Sequence, residues 1–351
     1  MAIHNNKKNK KIGSRTKKII KKAISWSGLF FFALAAYMLY RQLSKYDIDD
    51  IKNALLSIPN INLIYACIAS FVGYLALSSY DFLALKYIKH KLSLWKWVFA
   101  GFIGFSVSNN AGHAIVSGGA IRYRLYTRWR IKAGEIVKMI TFSGFTYLVA
   151  CFFLIIIGYA ITPENAFGDG VASKITTTVV ALGSLVGLVI YLTASVLYRK
   201  SIEIKGIKLK MPNIKMALAQ VFIGSIDILM ASLVLYFTLI HFIDIPFNTF
   251  IGAYIIAQIL GVYSQVPGGL GVFELVFSNI IPGEQNQAML FGALIAYRII
   301  YYLLPLIISA VALISYEGYL KYRQNKVRKQ RKFTKIKQFI QEKTEKIKHK
   351  I

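Results

Sequence analysis

The chain has 351 residues, 56% hydrophobic and 17% charged, and its 43 Lys and Arg against 15 Asp and Glu give a formal net charge of +28. A soluble domain holds about 25% charged residues, so this composition, with a mean hydropathy of +0.51, argues against a soluble enzyme. A basic excess of this size on a soluble chain would point to nucleic acid. Here the basic residues lie between long apolar runs, so a membrane is the first partner and nucleic acid the less economical one. Cys67 and Cys151 lie inside apolar runs and cannot form a disulfide framework or a Cys-rich zinc site, and the five histidines form no metal-ligand pair. No P-loop, dinucleotide fingerprint or nucleophile elbow is present, so no metal, cofactor or catalytic residue is expected.

A basic segment, 1–23, opens the chain. A transmembrane helix needs roughly 20 mostly apolar residues, and six runs qualify: 24–40, 61–85, 137–161, 175–198, 216–240 and 288–316. Two further apolar runs are interrupted. Run 97–120 contains Ser108-Asn109-Asn110, Gly112 and Ser117-Gly118-Gly119, and run 249–282 contains Pro267-Gly268-Gly269 and Gly271. Glycine and proline break helices. Irregular backbone at membrane depth survives only where protein or a watery cavity surrounds it. Both runs therefore predict broken or re-entrant helix pairs.

Lys and Arg gather on the cytoplasmic side. That rule places inside the N-terminal segment, the loop 86–96, the Arg122–Lys132 cluster, the loop 199–215 and the tail 317–351. The loops 41–60, 162–173 and 241–248 carry acidic or balanced charge and are placed outside. Run 97–120 then enters and leaves from inside, and run 249–282 from outside. Each half reads span, span, broken pair, span, in opposite orientation and with an offset of about 150 residues. The expected fold is an all-α polytopic membrane protein with six full spans and two broken pairs. It is built as an inverted-topology repeat of halves 24–161 and 175–316 inside a transmembrane domain 24–316. Both termini are expected to be cytoplasmic. In the tail, Phe333, Ile336 and Ile340 fall at helical spacing and predict an amphipathic helix on anionic lipid.

Ionisable residues inside apolar runs are functional candidates. Asp227 and Arg298 lie well inside two spans and are expected to pair or to line a cavity, and Asp81 lies toward the cytoplasmic end of its span. Glu274 follows the Pro267–Gly271 break and is expected to face a cavity. In the other half, Gly118 and Gly119 would let backbone approach a ligand, with Arg122 and Arg124 near the break as phosphate partners. A helix starting after these glycines would offer free N–H groups to an anion. His113 fits a proton relay or headgroup donor, or a structural histidine. Asn109 is a further cavity residue or a partner for freed backbone groups. Glu274→Gln and Arg122→Ala are each expected to leave folding near wild type.

The segment from Ser108-Asn109-Asn110 through Gly118-Gly119 and Arg122 is similar to the first broken segment of the lysylphosphatidylglycerol synthase transmembrane-region family. Pro267-Gly268-Gly269-Leu270-Gly271-Val272-Phe273-Glu274 resembles that family's most distinctive motif. The resemblance covers about residues 20–320. It implies the lipid flippase-like half of bifunctional synthase/flippases, without the soluble aminoacyltransferase domain, and so no enzyme activity. The expected function is translocation of a phospholipid or lipid-linked molecule between leaflets of a bacterial inner (plasma) membrane. An anionic headgroup would meet Arg122, Arg124, Gly118, Gly119, Gly268, Gly269 and Glu274. The rival readings are a membrane subunit serving a separately encoded synthase or glycosyl-transferring enzyme, and a small-solute transporter.

Overall fold

The computed structural model describes residues 48–111, 114–161, 171–198, 201–204, 207–264, 266–281 and 287–348. The segment 1–23, the run 24–40, Gly112, His113 and the acidic loop 162–170 lie outside the described residues. The described helices are α1 (Ile48–Ser57), α2 (Asn60–Tyr87), α3 (Leu94–Ala111), α4 (Ala114–Arg128), α5 (Ala133–Ile161) and α6 (Val171–Leu197), then α7 (Ile214–Leu239), α8 (Phe247–Tyr263), α9 (Val272–Ile280), α10 (Gln287–Arg298) and α11 (Leu304–Lys348). A small antiparallel hairpin, β1 (Ser201–Ile204) and β2 (Ile207–Lys210), joins α6 to α7. A 3-10 turn, Pro267–Gly269, separates α8 from α9, and a π-helical turn, Ile299–Leu303, separates α10 from α11. Five described helices are long and apolar enough to cross a membrane: Asn60–Tyr87, Ala133–Ile161, Thr177–Leu197, Ile214–Leu239 and Met289–Lys326. They coincide with five of the six predicted spans.

Helix is the expected answer in hydrocarbon, where each backbone polar group needs a partner inside its own segment. The ends are defined by residue type. Pro59 precedes α2, and the Asn213 side chain caps α7 by accepting the Met216 N–H at 2.9 Å. At the other end of α2, Lys89 takes a left-handed conformation (φ 56°) and the His90 N–H reaches back to the Leu85 carbonyl at 2.9 Å. Arg130 repeats this after α4, with φ 65° and the Ile131 N–H on the Tyr126 carbonyl at 3.1 Å. Both are Schellman-type stops. They use basic residues, which complement the negative end of each helix dipole.

Two antiparallel helices organise the core. A Cβ placed on Gly73 of α2 would meet Met230 of α7, while one on Gly224 of α7 would lie 3.3 Å from the Tyr80 hydroxyl. Residue numbers thus rise along one helix as they fall along the other. The α3–α4 pair starts and ends at the C-terminal end of α2, where the Trp95 and Trp129 rings lie 5.8 Å apart. Its far end stops beside Tyr74, near the middle of α2, with the Asn109 amide 3.5 Å from the Tyr74 hydroxyl. The α8–α9 pair starts at the C-terminal end of α7, where the Tyr236 and Phe247 rings lie 5.2 Å apart. It folds back so that Phe250 and Phe277 pack at 5.8 Å. Because α2 and α7 are antiparallel, the two broken pairs enter from opposite ends, as an inverted repeat requires.

The structure does not place the first break at the glycines. Ser117, Gly118 and Gly119 are helical within α4, which is described from Ala114 onward and packs back against α3. The glycines serve packing instead: a Cβ on Gly118 would overlap the Gly104 carbonyl and the Ser108 side chain of α3, and one on Gly119 would sit 3.3 Å from Ile140 of α5. The expectation that a helix starts after Gly119 is therefore corrected; its N–H groups lie inside a helix. Gly118→Ala is expected to force α3 and α4 apart and to cost about 1–3 kcal/mol by overpacking, read as a lower melting temperature in detergent. An unchanged melting temperature would contradict the close contact.

The chain divides by contacts into Met1–Leu306 and Ile307–Ile351. The described part of the second unit is α11 from Ile307 to Lys348. The predicted tail helix is present as backbone, continuous to Lys348.

Candidate functional site: two buried ion pairs and a tyrosine-bound carboxylate

The break in the second half is real and glycine-dependent. Gly268, Gly269 and Gly271 have φ of 62°, 63° and 79°, a region that other residues enter at a cost of roughly 1–2 kcal/mol. Gly269 also packs against Gly261 of α8, where a Cβ would lie 3.1 Å from the Gly261 Cα. Glu274 follows in the first turn of α9 and is 3% exposed. Its Oε2 accepts the Gly271 N–H at 2.8 Å, satisfying one orphan donor of the α9 N-terminus. Its Oε1 accepts Arg298 Nε at 2.7 Å and lies 2.6 Å from Arg298 Nη2. Arg298 Nη1 donates to the Gly268 carbonyl, and the guanidinium lies over the Tyr302 ring at 4.6 Å. Arg298 thus clamps the Pro-Gly-Gly turn at two points.

This corrects the expected Asp227–Arg298 pair. Arg298 ends α10 facing the turn, whereas Asp227 faces α2 and the π turn. Asp227 is 3% exposed, accepts Tyr80 Oη on Oδ2 at 2.8 Å and faces Tyr301 Oη across 3.4 Å from Oδ1. The π turn is held by side chains. Ser70, Tyr74 and Asn110 donate to the carbonyls of Ile300, Tyr301 and Tyr302 at 3.2, 3.0 and 3.1 Å. Such turns expose backbone acceptors and recur at functional sites.

The first-half counterpart lies between α2, α3 and α4. Arg122 is buried, with its guanidinium carbon 3.7 Å from the centre of the Phe105 ring and its Nε 3.4 Å from Asp81 Oδ2. Tyr126 donates to the same Oδ2 at 2.6 Å. No hydrogen bond among the described residues reaches Arg122 Nη2 or Asp81 Oδ1. This ion pair is the looser of the two, at 3.4 Å against 2.6 Å for Glu274–Arg298, although Arg298 Nη2 likewise makes no aligned hydrogen bond among the described residues. Arg124 is on the exposed side of α4. Burial and pairing give Glu274 and Arg122 a structural role that the expectation of undisturbed folding leaves out.

The two halves meet at their breaks. A Cβ on Gly268 would lie 3.5 Å from the Asn109 carbonyl oxygen and 3.3 Å from Arg298 Nη1. Asn109, Gly268, Gly269, Glu274 and Arg298 are thereby brought together. Arg122, Gly118 and Gly119 lie further along α4, and Asp227 lies on the other side of Tyr301. Sequence reasoning missed Tyr80, Tyr126 and Tyr301, the phenols that hold the two aspartates. A groove of about 680 Å³ runs along α2, lined by Asn60, Leu63, Ile64, Cys67, Ile68 and Phe71; its walls are apolar and hold none of these charged groups.

Comparison with known proteins bears on what such a site does. The family described as "Lysylphosphatidylglycerol synthase TM region" matches residues 23–309. The uncharacterized protein slr0712 of Synechocystis sp. is 30% identical over 314 residues, covering 89% of this chain and 97% of its own. Inner membrane protein YbhN of Escherichia coli is 27% identical, covering 87% and 94%. Phosphatidylglycerol lysyltransferase of Staphylococcus xylosus is 25% identical over 81% of this chain, but that match occupies 33% of the longer enzyme.

Proposed function

The chain belongs to the lysylphosphatidylglycerol synthase transmembrane-region family, and from that premise we propose that it moves an anionic phospholipid, or a lipid-linked molecule, between the leaflets of a bacterial inner membrane. The observation that carries this reading is the meeting of two opposed helix breaks, Asn109 against Gly268, beside buried charged groups. Polar side chains and opened backbone are costly in hydrocarbon, and a route for a headgroup gives them a use. The headgroup leaves water, passes the junction of the breaks, and its acyl chains stay in the bilayer. Arg122 is the phosphate partner on one side, since its pairing with Asp81 is loose at 3.4 Å while Arg298 is held by both Glu274 and the Gly268 carbonyl. A guanidinium suits phosphate by offering two parallel donors. Arg124 attracts the headgroup from the helix surface. Gly268 and Gly269 keep the second turn slim, and Glu274 with Arg298 sets its shape. The lipid class follows the names of the longer Staphylococcus relatives, and the location follows YbhN.

Orientation completes the proposal. The loops after α2 and α4, and the β1–β2 hairpin held by Tyr87 on Lys210, gather at one end. That end carries Lys89, Lys91, Lys96, Arg128, Arg130 and Lys132, and by the positive-inside rule it is cytoplasmic. On a background lacking Cys67 and Cys151, a cysteine at position 128 should react only from the cytoplasm and one at position 244 only from outside. Labelling of position 128 from outside would overturn the orientation.

The function is tested with fluorescent phosphatidylglycerol in proteoliposomes. Protein-dependent exchange between leaflets, with an enclosed aqueous dye retained, is the expected result. Exchange at the protein-free rate would overturn it, as would solute flux without lipid movement.

A further inference from the structure

We propose that Asp227 is a proton-binding site, and that its proton controls the Pro-Gly-Gly turn through the π turn. The inference rests on the transport reading only for the use made of the proton.

Asp227 sits in the middle third of α7, 3% exposed, in a helix long and apolar enough to cross a membrane. A carboxylate there needs a cation, a metal or a proton, because an isolated buried charge is too costly to keep. The cation is missing: the titratable groups around it are Tyr74 and Tyr80 of α2, Tyr147 and Cys151 of α5, and Tyr301 of the π turn, and no charged side chain among the described residues stands beside it. Arg298 is committed to Glu274 and Gly268. A hard metal ion would need about six oxygen ligands. The nearby π-turn carbonyls are already taken by Ser70, Tyr74 and Asn110. A proton needs neither.

The two oxygens are unequal. Oδ2 holds Tyr80 at 2.8 Å, while Tyr301 stands 3.4 Å from Oδ1, near the outer limit for such a bond. A proton from the aqueous phase adds at Oδ1 and returns there when released. Bound, it makes Oδ1 a donor, so Tyr301 must turn from donating to accepting. Tyr301 and Arg298 are three residues apart on one continuous helical run, at and just before the π turn. A π turn holds one residue more per ring than an α-helix, so it can relax to α geometry and rotate what precedes it. What precedes it is Arg298, the clamp on Gly268 and Glu274. Protonation of one carboxyl thus biases the turn that meets Asn109.

Infrared difference spectroscopy of the full chain in nanodiscs, stepped between neutral and acidic buffer, reads the site without any transport. Wild type is expected to gain a carboxylic-acid carbonyl band that Asp227→Asn lacks. Tyr80→Phe, which keeps the carboxyl but removes the hydrogen bond to its carbonyl oxygen, is expected to shift that band to higher frequency. The same acid-induced band in Asp227→Asn, or an unshifted band in Tyr80→Phe, would overturn the proposal. Should Asp227→Asn not fold, the Tyr80→Phe shift decides alone.

Discussion

Glu274→Ala is expected to be among the most damaging single changes in the protein, at about 3–5 kcal/mol, because it strands the Arg298 guanidinium without its counter-charge. The carboxylate also holds the Gly271 N–H at the start of α9, so two buried groups lose their partner at once. Arg298→Ala should be similarly damaging, since it strands Glu274 and frees the Gly268 carbonyl. Replacing both with apolar residues, Glu274→Leu with Arg298→Met, should be milder than the sum of the single changes, because no buried charge is left over. Melting temperature and monodispersity in detergent measure this. Additive losses in the double variant would mean that the two residues act separately.

The second large effect is expected at Arg122, where stability and transport can be told apart. Arg122→Ala should lose both, since it leaves Asp81 buried without a cation and removes the stack on Phe105. Arg122→Lys keeps the charge beside Asp81 but loses the planar fork that grips phosphate. It should fold with a modest loss and still fail to exchange lipid. Tyr126→Phe is the converse. It removes a 2.6 Å bond to Asp81, at about 1–3 kcal/mol, but leaves the guanidinium in place, so exchange should persist. Normal exchange in Arg122→Lys, with normal expression, would remove the arginine from the lipid route and leave it a structural partner of Asp81.

These two cases also show how far the sequence could be read. Five of the six spans were legible because hydropathy acts over tens of residues and does not depend on side-chain contacts. Pro267-Gly268-Gly269 was legible as a break because the left-handed conformation there is one that glycine supplies without strain. Gly118-Gly119 looked alike in sequence and was misread. Glycine also serves close helix contact, and only the approach of Gly104 and Ser108 tells the two uses apart. Asp227 and Arg298 both lie deep in spans, so hydropathy suggested a pair. Which charge meets which depends on the faces of α7 and α10, and the Pro-Gly-Gly turn brings Glu274 to Arg298 first. Tyr80, Tyr126 and Tyr301 were hidden among 22 tyrosines, with nothing local to mark the three that bind carboxylates. The π turn has no composition signal, because it is held from outside by Ser70, Tyr74 and Asn110.

The central claim is that lipid passes where the two breaks meet, and the most direct measurement is leaflet exchange before and after those breaks are tied together. On the background lacking Cys67 and Cys151, Ala111→Cys with Leu270→Cys places thiols two residues beyond Asn109 and two beyond Gly268, leaving the glycines of the turn intact, and a cleavable bismaleimide bridges them. The account predicts that fluorescent phosphatidylglycerol exchanges in the unbridged protein, stops when the bridge forms and resumes when it is cleaved. An exchange rate that is unchanged by complete bridging would contradict it.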